Sequence, residues 1–245
     1  MPSPSPAAAA CIAIIPARGG SRRLPNKNIR AFLGRPLLEW TVDAALGADV
    51  FDRVIVTTDS PAIAEAARRC GAEVPFLRDA ALADDHTPVS AATVDALARC
   101  DPARQVRSVA QLMPNCPLRT AGDVRDSHRA FLAAGADVQL SVVPFGWVNP
   151  WWACRREADG RLAPIFADQV TARGQDVPEL VCPTGAVWWA RAEALRAAGT
   201  FHVPGRIGWE MPFDRGVDID TAADWALAER LAGRDRVGVR IGDAF

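Results

Sequence analysis

An α/β fold, with a mostly parallel sheet and helices on both of its faces, is predicted by three features of this sequence. Short apolar runs alternate with segments whose apolar residues recur at helical spacing. The first run, 11–15 (CIAII), is apolar at every position, which is typical of a strand buried on both faces. The chain has 245 residues, of which 49% are hydrophobic, and this is enough to bury one large core.

The elements can be placed in order from periodicity and boundary residues. Five strands are predicted at 11–15, 53–59, 73–78, 108–114 and 136–144, and four helices at 36–48, 60–72, 87–100 and 120–135. The second helix has the clearest limits, because Ser60 can cap its first turn, Pro61 suits its first position and Gly71 can end it.

The alternation is interrupted at 144–182, which is rich in tryptophan and proline and contains a DG turn. This segment is predicted to be a β-ribbon insertion rather than another strand–helix unit. Exposed aromatic residues in such an insertion often mark an oligomer interface or a ligand wall. The candidates are Trp147, Trp151 and Trp152. The alternation resumes at 185–199 and closes at 216–233, where Thr221 opens a helix with Asp224 three residues later.

Composition and the chain ends narrow the class of protein. Residues 1–10 are predicted to be a disordered tail, 11–235 the folded domain and 236–245 a C-terminal tail. No apolar run approaches the ~20 residues of a membrane span, and the start lacks a signal-peptide pattern, so a cytoplasmic protein is expected. The six cysteines show no CxxC spacing, which argues against a zinc site and for reduced thiols. A formal net charge of −1 argues against nucleic acid or a membrane as the main partner.

A basic loop with two glycines follows the first predicted strand, at 18–28 (RGGSRRLPNKN). Backbone N–H groups of Gly19, Gly20 and Ser21 could surround a phosphate. The loop also supplies four cations: Arg18, Arg22, Arg23 and Lys27. Open α/β sheets bind ligands at the carboxyl ends of their strands, so a site for a triphosphate or pyrophosphate is predicted, rather than a solvated basic turn. The P-loop and dinucleotide motifs are both absent from the sequence.

Asp218 and Asp220, within 217–221 (VDIDT), form a second candidate site. Residues two apart on a strand lie on the same side, and two carboxylates there can hold Mg²⁺, which prefers oxygen ligands. A metal opposite a basic phosphate loop would suit phosphoryl or nucleotidyl transfer. The alternative is that Asp220 only caps the last helix while Asp218 lies on the surface.

The stretch 15–30 (IPARGGSRRLPNKNIR) strongly resembles the opening motif of the acylneuraminate cytidylyltransferases and their pseudaminate and legionaminate relatives. Other stretches are similar to further motifs of that family: 51–78, 113–119 (MPNCPLR), 182–189 (CPTGAVWW) and 217–229 (VDIDTAADWALAE). The similarity covers about 11–233. It implies a Rossmann-like three-layer α/β/α nucleotidyltransferase fold, in which 144–182 is a dimerisation insertion and the protein a homodimer.

The resemblance implies that CTP and an acidic sugar of the nonulosonic acid type give a CMP-sugar and pyrophosphate, with Mg²⁺ as cofactor. It places Arg18, Ser21, Arg22 and Lys27 at the phosphates, Asn28 and Arg78 near the cytosine and ribose, and Asp218 and Asp220 on the metal. Arg18, Lys27 and the two aspartates would be catalytic, because they stabilise charge that develops as pyrophosphate leaves. Arg23 has no corresponding role and is expected to face solvent. The three histidines lie outside the motifs, and no general base is assigned.

The sequence departs from the family pattern at the sugar-binding positions. Met113 replaces a glutamine, Cys182 an arginine and Thr184 an asparagine, while Asn115 and Cys116 replace a threonine and a serine. Losing a charged donor and an amide weakens the grip on N-acetylneuraminate. A related or differently substituted acid sugar, or another hydroxyl acceptor, is therefore expected.

Three rival functions remain open at this stage. A CMP-Kdo synthetase type would place a metal-binding aspartate near Asn115, and asparagine is a poorer Mg²⁺ ligand. A non-catalytic nucleotide-binding regulator would keep the fold without turnover, although Arg18, Lys27 and both aspartates are intact. A glycosyltransferase that uses the DxD motif would have less need of so basic a loop.

Overall fold

The computed structural model describes residues 10–84, 86–146 and 148–237. Most of the two predicted tails, and Trp147, lie outside these residues. Ala10, assigned to the first tail, begins the first strand, and the last helix extends to Val237, inside the second predicted tail.

Ten strands and six α-helices form in the described part of the chain. The strands are β1 (Ala10–Pro16), β2 (Ala31–Phe32), β3 (Arg35–Pro36), β4 (Arg53–Thr57), β5 (Val106–Gln111), β6 (Val138–Pro144), β7 (Cys154–Arg156), β8 (Leu162–Pro164), β9 (Val181–Arg191) and β10 (Ile207–Glu210). The helices are α1 (Leu37–Ala48), α2 (Pro61–Arg69), α3 (Val89–Cys100), α4 (Ala121–Ala134), α5 (Ala192–Ala198) and α6 (Ala222–Val237). Within this part, no helix is both long enough and apolar enough to cross a membrane.

Six strands form one sheet in the order β10-β6-β9-β5-β1-β4. Only β9 is antiparallel to its neighbours, whereas the other adjacent pairs are parallel. The prediction of a mostly parallel sheet is confirmed. Because β1, β4 and β5 are parallel and adjacent, the loops that follow them converge at one edge of the sheet, which is called the carboxyl edge below.

The side chains of β1 alternate between two hydrophobic cores, one on each face of the sheet. Ala13 and Ile15 belong to the core under α1, α2 and α4. Ile12 and Ile14 belong to the core under α3 and α5. Burial on both faces explains why this strand is apolar at every position, and the predicted three-layer α/β/α architecture is confirmed.

A third, smaller core joins α6 to the loop that follows β1. Phe32 packs edge to face against Trp40 and Trp225, with ring centroids 6.0 and 5.4 Å apart. Leu24 from the basic loop and Ile219 from the aspartate-containing stretch belong to the same core. Two segments that are distant in sequence are therefore packed together at the carboxyl edge.

Helix starts follow the predicted capping residues. The Ser60 hydroxyl accepts a hydrogen bond from the N–H of Ile63 at 3.4 Å, and Pro61 is the first residue of α2. At the start of α6, the N–H of Thr221 donates to the Asp224 carboxylate at 2.7 Å, and the N–H of Asp224 donates to the Thr221 hydroxyl at 3.3 Å. This reciprocal pair satisfies backbone donors that the first turn leaves free.

Three predicted β-segments differ in the structure. Residues 73–78 make only two isolated bridges, at Glu73 and Leu77, because Pro75 between them has no N–H to donate to a ladder. The ribbon expected at 144–182 is reduced to the short β7–β8 hairpin. The stretch 217–220 is not a strand, since the N–H of Asp220 donates to the Asp224 carboxylate of the helix cap rather than to a neighbouring strand.

Candidate active site

A cleft of about 650 Å³ opens at the carboxyl edge. Ten of the predicted site residues line it: Arg18, Ser21, Arg22, Lys27, Asn28, Met113, Asn115, Thr184, Asp218 and Asp220. Four others do not, namely Gly19, Gly20, Arg78 and Cys182. A cavity of about 670 Å³ at the opposite edge, between β5, β9 and α4, contains neither the glycine loop nor the aspartate pair.

The basic loop is held against the connection between β4 and α2. The N–H of Gly19 donates to Asp59 Oδ1 at 2.9 Å, and the N–H of Ser21 donates to the carbonyl of Gly19 at 3.1 Å. A Cβ at position 19 would lie 3.1 Å from the Cβ of Ser60, so a larger residue there would require Ser60 to shift. Because both N–H groups point at protein acceptors, the loop presents mainly side chains to the cleft.

Lys27 bridges the two candidate sites. Its ammonium donates to Asp220 Oδ1 at 2.9 Å and to the carbonyl of Ile219 at 2.8 Å. The side chain is only 14% exposed, so these bonds fix the position of the charge. The phosphate loop and the aspartate pair, predicted separately, therefore form one site.

Arg23 is largely exposed to solvent, as the sequence predicted, but it also has a partner in the aspartate pair. Its side chain is 66% exposed, but the guanidinium donates to Asp220 Oδ2 at 2.9 Å. Burial by itself would raise the pKa of Asp220, but the hydrogen bonds and charges of Lys27 and Arg23 hold it below the ordinary value. Asp220 is thus an ionised carboxylate with one cation on each oxygen.

Asp220 is not the cap of the last helix, because Thr221 and Asp224 cap it instead. The carboxylate of Asp224 also accepts from the N–H of Asp220 at 3.1 Å, which leaves the Asp220 side chain facing the cleft. The helix-cap alternative for Asp220 is therefore wrong. Asp218 is exposed, as its alternative expected, but its side chain lines the cleft beside Asp220.

Asp218 is oriented by two donors. The buried thiol of Cys116 donates to Asp218 Oδ1, and the N–H of Gly185 lies 3.3 Å from both carboxylate oxygens. A Cβ at Gly185 would lie 2.8 Å from Cγ of Met113, so only glycine allows β9 to pass this close to Met113. Burial raises the pKa of Asp218, while these two hydrogen bonds oppose the rise. Burial also keeps Cys116 a neutral donor by raising its pKa well above the ordinary value.

Asn28 and Arg78 carry buried polar atoms that have no partner in the described structure, Asn28 Oδ1 and Arg78 Nε. The Asn28 amide nitrogen donates to the carbonyl of Arg18 at 2.9 Å, and the Arg78 guanidinium lies 3.7 Å from Asp59. Each residue is only 6% exposed. Leaving such an atom unsatisfied costs about 1–3 kcal/mol. Because Asn28 lines the cleft, its oxygen provides a free acceptor for a polar ligand, whereas Arg78 does not line the cleft.

The predicted sugar-pocket residues have different surroundings. Met113 lines the cleft, and the Asn115 amide lies 3.5 Å from Asp220 Oδ1. The Thr184 hydroxyl is directed into the sheet, because it lies 3.1 Å from the hydroxyl of Ser141 and accepts from the N–H of Ala186. Cys182 is absent from the lining, and the adjacent Pro183 lines it instead.

Two further residues of the site were not predicted. Trp188 forms part of the cleft wall, and its indole N–H donates to the carbonyl of Thr184 at 2.6 Å. Alternation along β9 separates it from Trp189, which is fully buried in the core, but the sequence does not indicate which tryptophan faces the cleft. Arg119 lies behind the site, where its buried guanidinium donates to the Thr41 hydroxyl and the Ala186 carbonyl. Its only signal was its place in MPNCPLR.

The donor set fits a hard divalent cation that arrives with other ligands. Asp218 and Asp220 offer oxygen atoms to the same cleft, as Mg²⁺ prefers. No group of three or more His, Cys, Asp or Glu side chains that could hold a metal occurs in the described residues. The chain thus supplies two carboxylates, and phosphate oxygens and water would complete the coordination.

A three-layer α/β/α fold whose first loop directs cations at an aspartate in the cleft is typical of a nucleotidyltransferase. The sequence matches the Cytidylyltransferase family over residues 12–111. It is 32% identical over 225 residues, 90% of this chain and 95% of the relative, to CMP-N,N'-diacetyllegionaminic acid synthase of Legionella pneumophila. The chain belongs to this cytidylyltransferase family.

Other comparisons agree with this assignment. Pseudaminic acid cytidylyltransferase of Campylobacter jejuni is 28% identical over 222 residues, covering 90% of this chain and 95% of the relative. Among solved structures, a CMP:2-keto-3-deoxy-manno-octonic acid synthetase complexed with CTP superposes with a TM-score of 0.68. It covers 92% of this chain and 99% of its own at 16% identity, so it supports the fold alone.

Proposed function

We propose that this protein transfers CMP from CTP to an acidic sugar of the nonulosonic acid type and releases pyrophosphate. The observation that carries the proposal is the contact of Lys27 with Asp220, which joins the phosphate loop to the aspartate pair in one cleft. The names of the relatives, a legionaminic acid synthase and a pseudaminic acid cytidylyltransferase, support this class of acceptor.

In the proposed reaction a sugar hydroxyl attacks the α-phosphorus, the bond to pyrophosphate breaks, and the hydroxyl proton passes to water or to one of the two aspartates. Arg18, Arg22 and Lys27 bind the triphosphate and stabilise charge as it grows on the leaving oxygens. Because Lys27 is held by Asp220 and Ile219, it is positioned before the reaction begins. Mg²⁺, held by Asp218 and Asp220, would neutralise phosphate charge. None of the three histidines lines the cleft, so no histidine is assigned as the base.

The free acceptor on Asn28 is proposed to read the nucleoside of CTP, with Arg78, which does not line the cleft, as a residue near the nucleoside rather than a direct contact. In a thermal-shift experiment with Mg²⁺, CTP is expected to raise the Tm more than UTP, GTP or ATP. The amino group of cytosine can donate to the buried Asn28 oxygen, which the carbonyl of uracil cannot do, and the purines differ from cytosine in size. Asn28→Ala should reduce the difference between nucleotides. An equal or larger shift with a purine nucleotide would contradict the assignment.

Turnover is tested by pyrophosphate release from CTP and Mg²⁺ with a panel of sugar acids. We expect release only when an acceptor is present. Release should be faster with nonulosonic acids that carry two acyl groups than with N-acetylneuraminate, which carries one, because Met113, Pro183 and Trp188 make one wall apolar. A reaction without acceptor controls for CTP hydrolysis. CTP binding without release for any acceptor would favour the non-catalytic regulator, and preferred use of Kdo would favour that rival class.

We further propose a homodimer built on the 144–182 insertion. Trp151 and Trp152 donate their indole N–H groups to carbonyls within the insertion, so they fold it on itself. Neighbouring apolar side chains remain open to solvent, with Leu162 67% and Ile165 51% exposed. Such a patch favours association.

The six cysteines are all free, which supports the cytoplasm as location.

Light scattering is expected to give a dimer mass for the wild type. The double variant Leu162→Asp, Ile165→Asp should be monomeric, because charges would be buried in the interface. Leu132→Asp, at an exposed leucine of α4, is the control that should remain dimeric. A monomeric wild type at high micromolar concentration would refute the assembly.

A further inference from the structure

The charge balance at Asp220 assigns a role to Arg23, for which the sequence offered none. Each oxygen of this carboxylate already has one cationic partner, Lys27 on Oδ1 and Arg23 on Oδ2, both at 2.9 Å. A metal ion that binds Asp220 therefore meets a carboxylate whose charge is already compensated. A dication beside a guanidinium is also a like-charge pair, which is repulsive at short range.

The two cations differ in how firmly they are held. Lys27 is 14% exposed and has a second acceptor, the carbonyl of Ile219. Arg23 is 66% exposed, and Asp220 is its one hydrogen-bond partner in the described part of the chain. An exposed ion pair of this kind contributes little to stability, because water screens it. When a competitor arrives, Arg23 is the partner that can leave, and Lys27 stays.

We propose that Arg23 is an internal competitor for the divalent cation, pairing with Asp220 in the nucleotide-free enzyme and leaving when metal and triphosphate bind together. The proposal rests on the proposed function, because it takes Asp220 to be a metal ligand and the loop to bind the triphosphate. Arg23 lines the same cleft, so the phosphates offer its guanidinium a new anionic partner. Metal alone offers it none.

This arrangement couples the binding of the two ligands. Without nucleotide, a metal ion must displace Arg23 into solvent, so the affinity of Asp220 for the metal is reduced. With nucleotide, the displaced guanidinium moves to the triphosphate, and this new ion pair offsets the loss of the pair with Asp220. Each ligand therefore raises the affinity for the other by the same factor. The enzyme would favour metal–nucleotide over metal alone at Asp220.

The test is calorimetric titration of Mn²⁺ into the nucleotide-free protein. Arg23→Gln is expected to bind Mn²⁺ roughly three- to fivefold more tightly than wild type, which is the factor that an exposed ion pair of up to about 1 kcal/mol allows. The gain should shrink or reverse when CTP is present without an acceptor. Arg69→Gln, which removes an exposed arginine paired with Glu65 on α2, controls for net charge. The gain should vanish in an Asp220→Asn background.

Each other result decides against the proposal. Equal Mn²⁺ affinity in wild type and Arg23→Gln, including no measurable binding to either, overturns it. An equal gain in Arg69→Gln means that only net charge matters, and a gain that survives Asp220→Asn means that Asp220 is not the contested ligand. Because the readout is metal binding, the predicted gain can appear even if no sugar acid is turned over, in which case only the proposed function fails.

Discussion

Lys27→Ala is expected to lower kcat by roughly a hundredfold or more, with a smaller change in the KM for CTP. Negative charge on the leaving oxygens increases only as the P–O bond breaks, so a cation already in place contributes most at that moment. This lysine is suited to that role because two protein acceptors fix its ammonium in a largely enclosed position. Steady-state kinetics with CTP varied at saturating acceptor measure both constants.

The matched control for this variant cannot be Arg23→Ala, since Arg23 shares Asp220 with Lys27. Arg69→Ala removes the same charge from an exposed pair on α2 and should leave kcat unchanged. Circular dichroism should show that both variants are folded. If Lys27→Ala raises only KM, the lysine binds ground-state CTP and has no special part in the transition state. If Arg69→Ala is equally damaging, the cations act as a diffuse patch.

Asp218→Asn and Asp220→Asn are expected to lower kcat by at least about two orders of magnitude each. Each variant removes a carboxylate that would hold the Mg²⁺ needed to neutralise phosphate charge. Asp218→Asn should cost little stability. Desolvation already raises the pKa of Asp218, so replacing the charged carboxylate by a neutral amide removes an unfavourable desolvation of charge. The amide oxygen can still accept from Cys116 and Gly185. Asp220→Asn removes an ion-pair partner of Lys27 and Arg23, so its effect on stability should be small but measurable.

Thr221→Ala, in the same stretch, is expected to lower stability and leave kcat unchanged, the opposite of Asp218→Asn. It removes the hydroxyl that accepts from the N–H of Asp224 and should cost about 1 kcal/mol of stability, the usual loss for a helix cap. Its kcat should stay close to that of wild type. Chemical denaturation and kinetics on the variants separate the two roles. Near-normal kcat in both Asn variants would mean that neither aspartate takes part in the reaction.

Local signals in the sequence were sufficient for the outline of the fold. A strand that is apolar at every position predicted burial on both faces, and β1 does alternate between two cores. Ser60, Pro61 and the Thr221–Asp224 pair predicted helix starts correctly, because a cap forms between neighbours in the chain. Prediction failed at 217–220, which looked like a strand. The N–H of Asp220 serves the cap of the next helix, and the N–H of Ile219 donates to the carbonyl of Asn115, a long-range contact that is not part of a ladder.

The sequence by itself determined which segments carry charge for the site, and the tertiary structure decided which atoms meet. The glycines, cations and aspartates were visible as two short motifs, because each is contiguous. That Lys27 meets Asp220, 193 residues away, follows from the core in which Leu24 and Ile219 pack together. The same packing brings Arg23 onto Asp220, which no spacing in the sequence predicts. Periodicity and capping act between neighbours, whereas a site forms where strand order and core packing bring distant segments together.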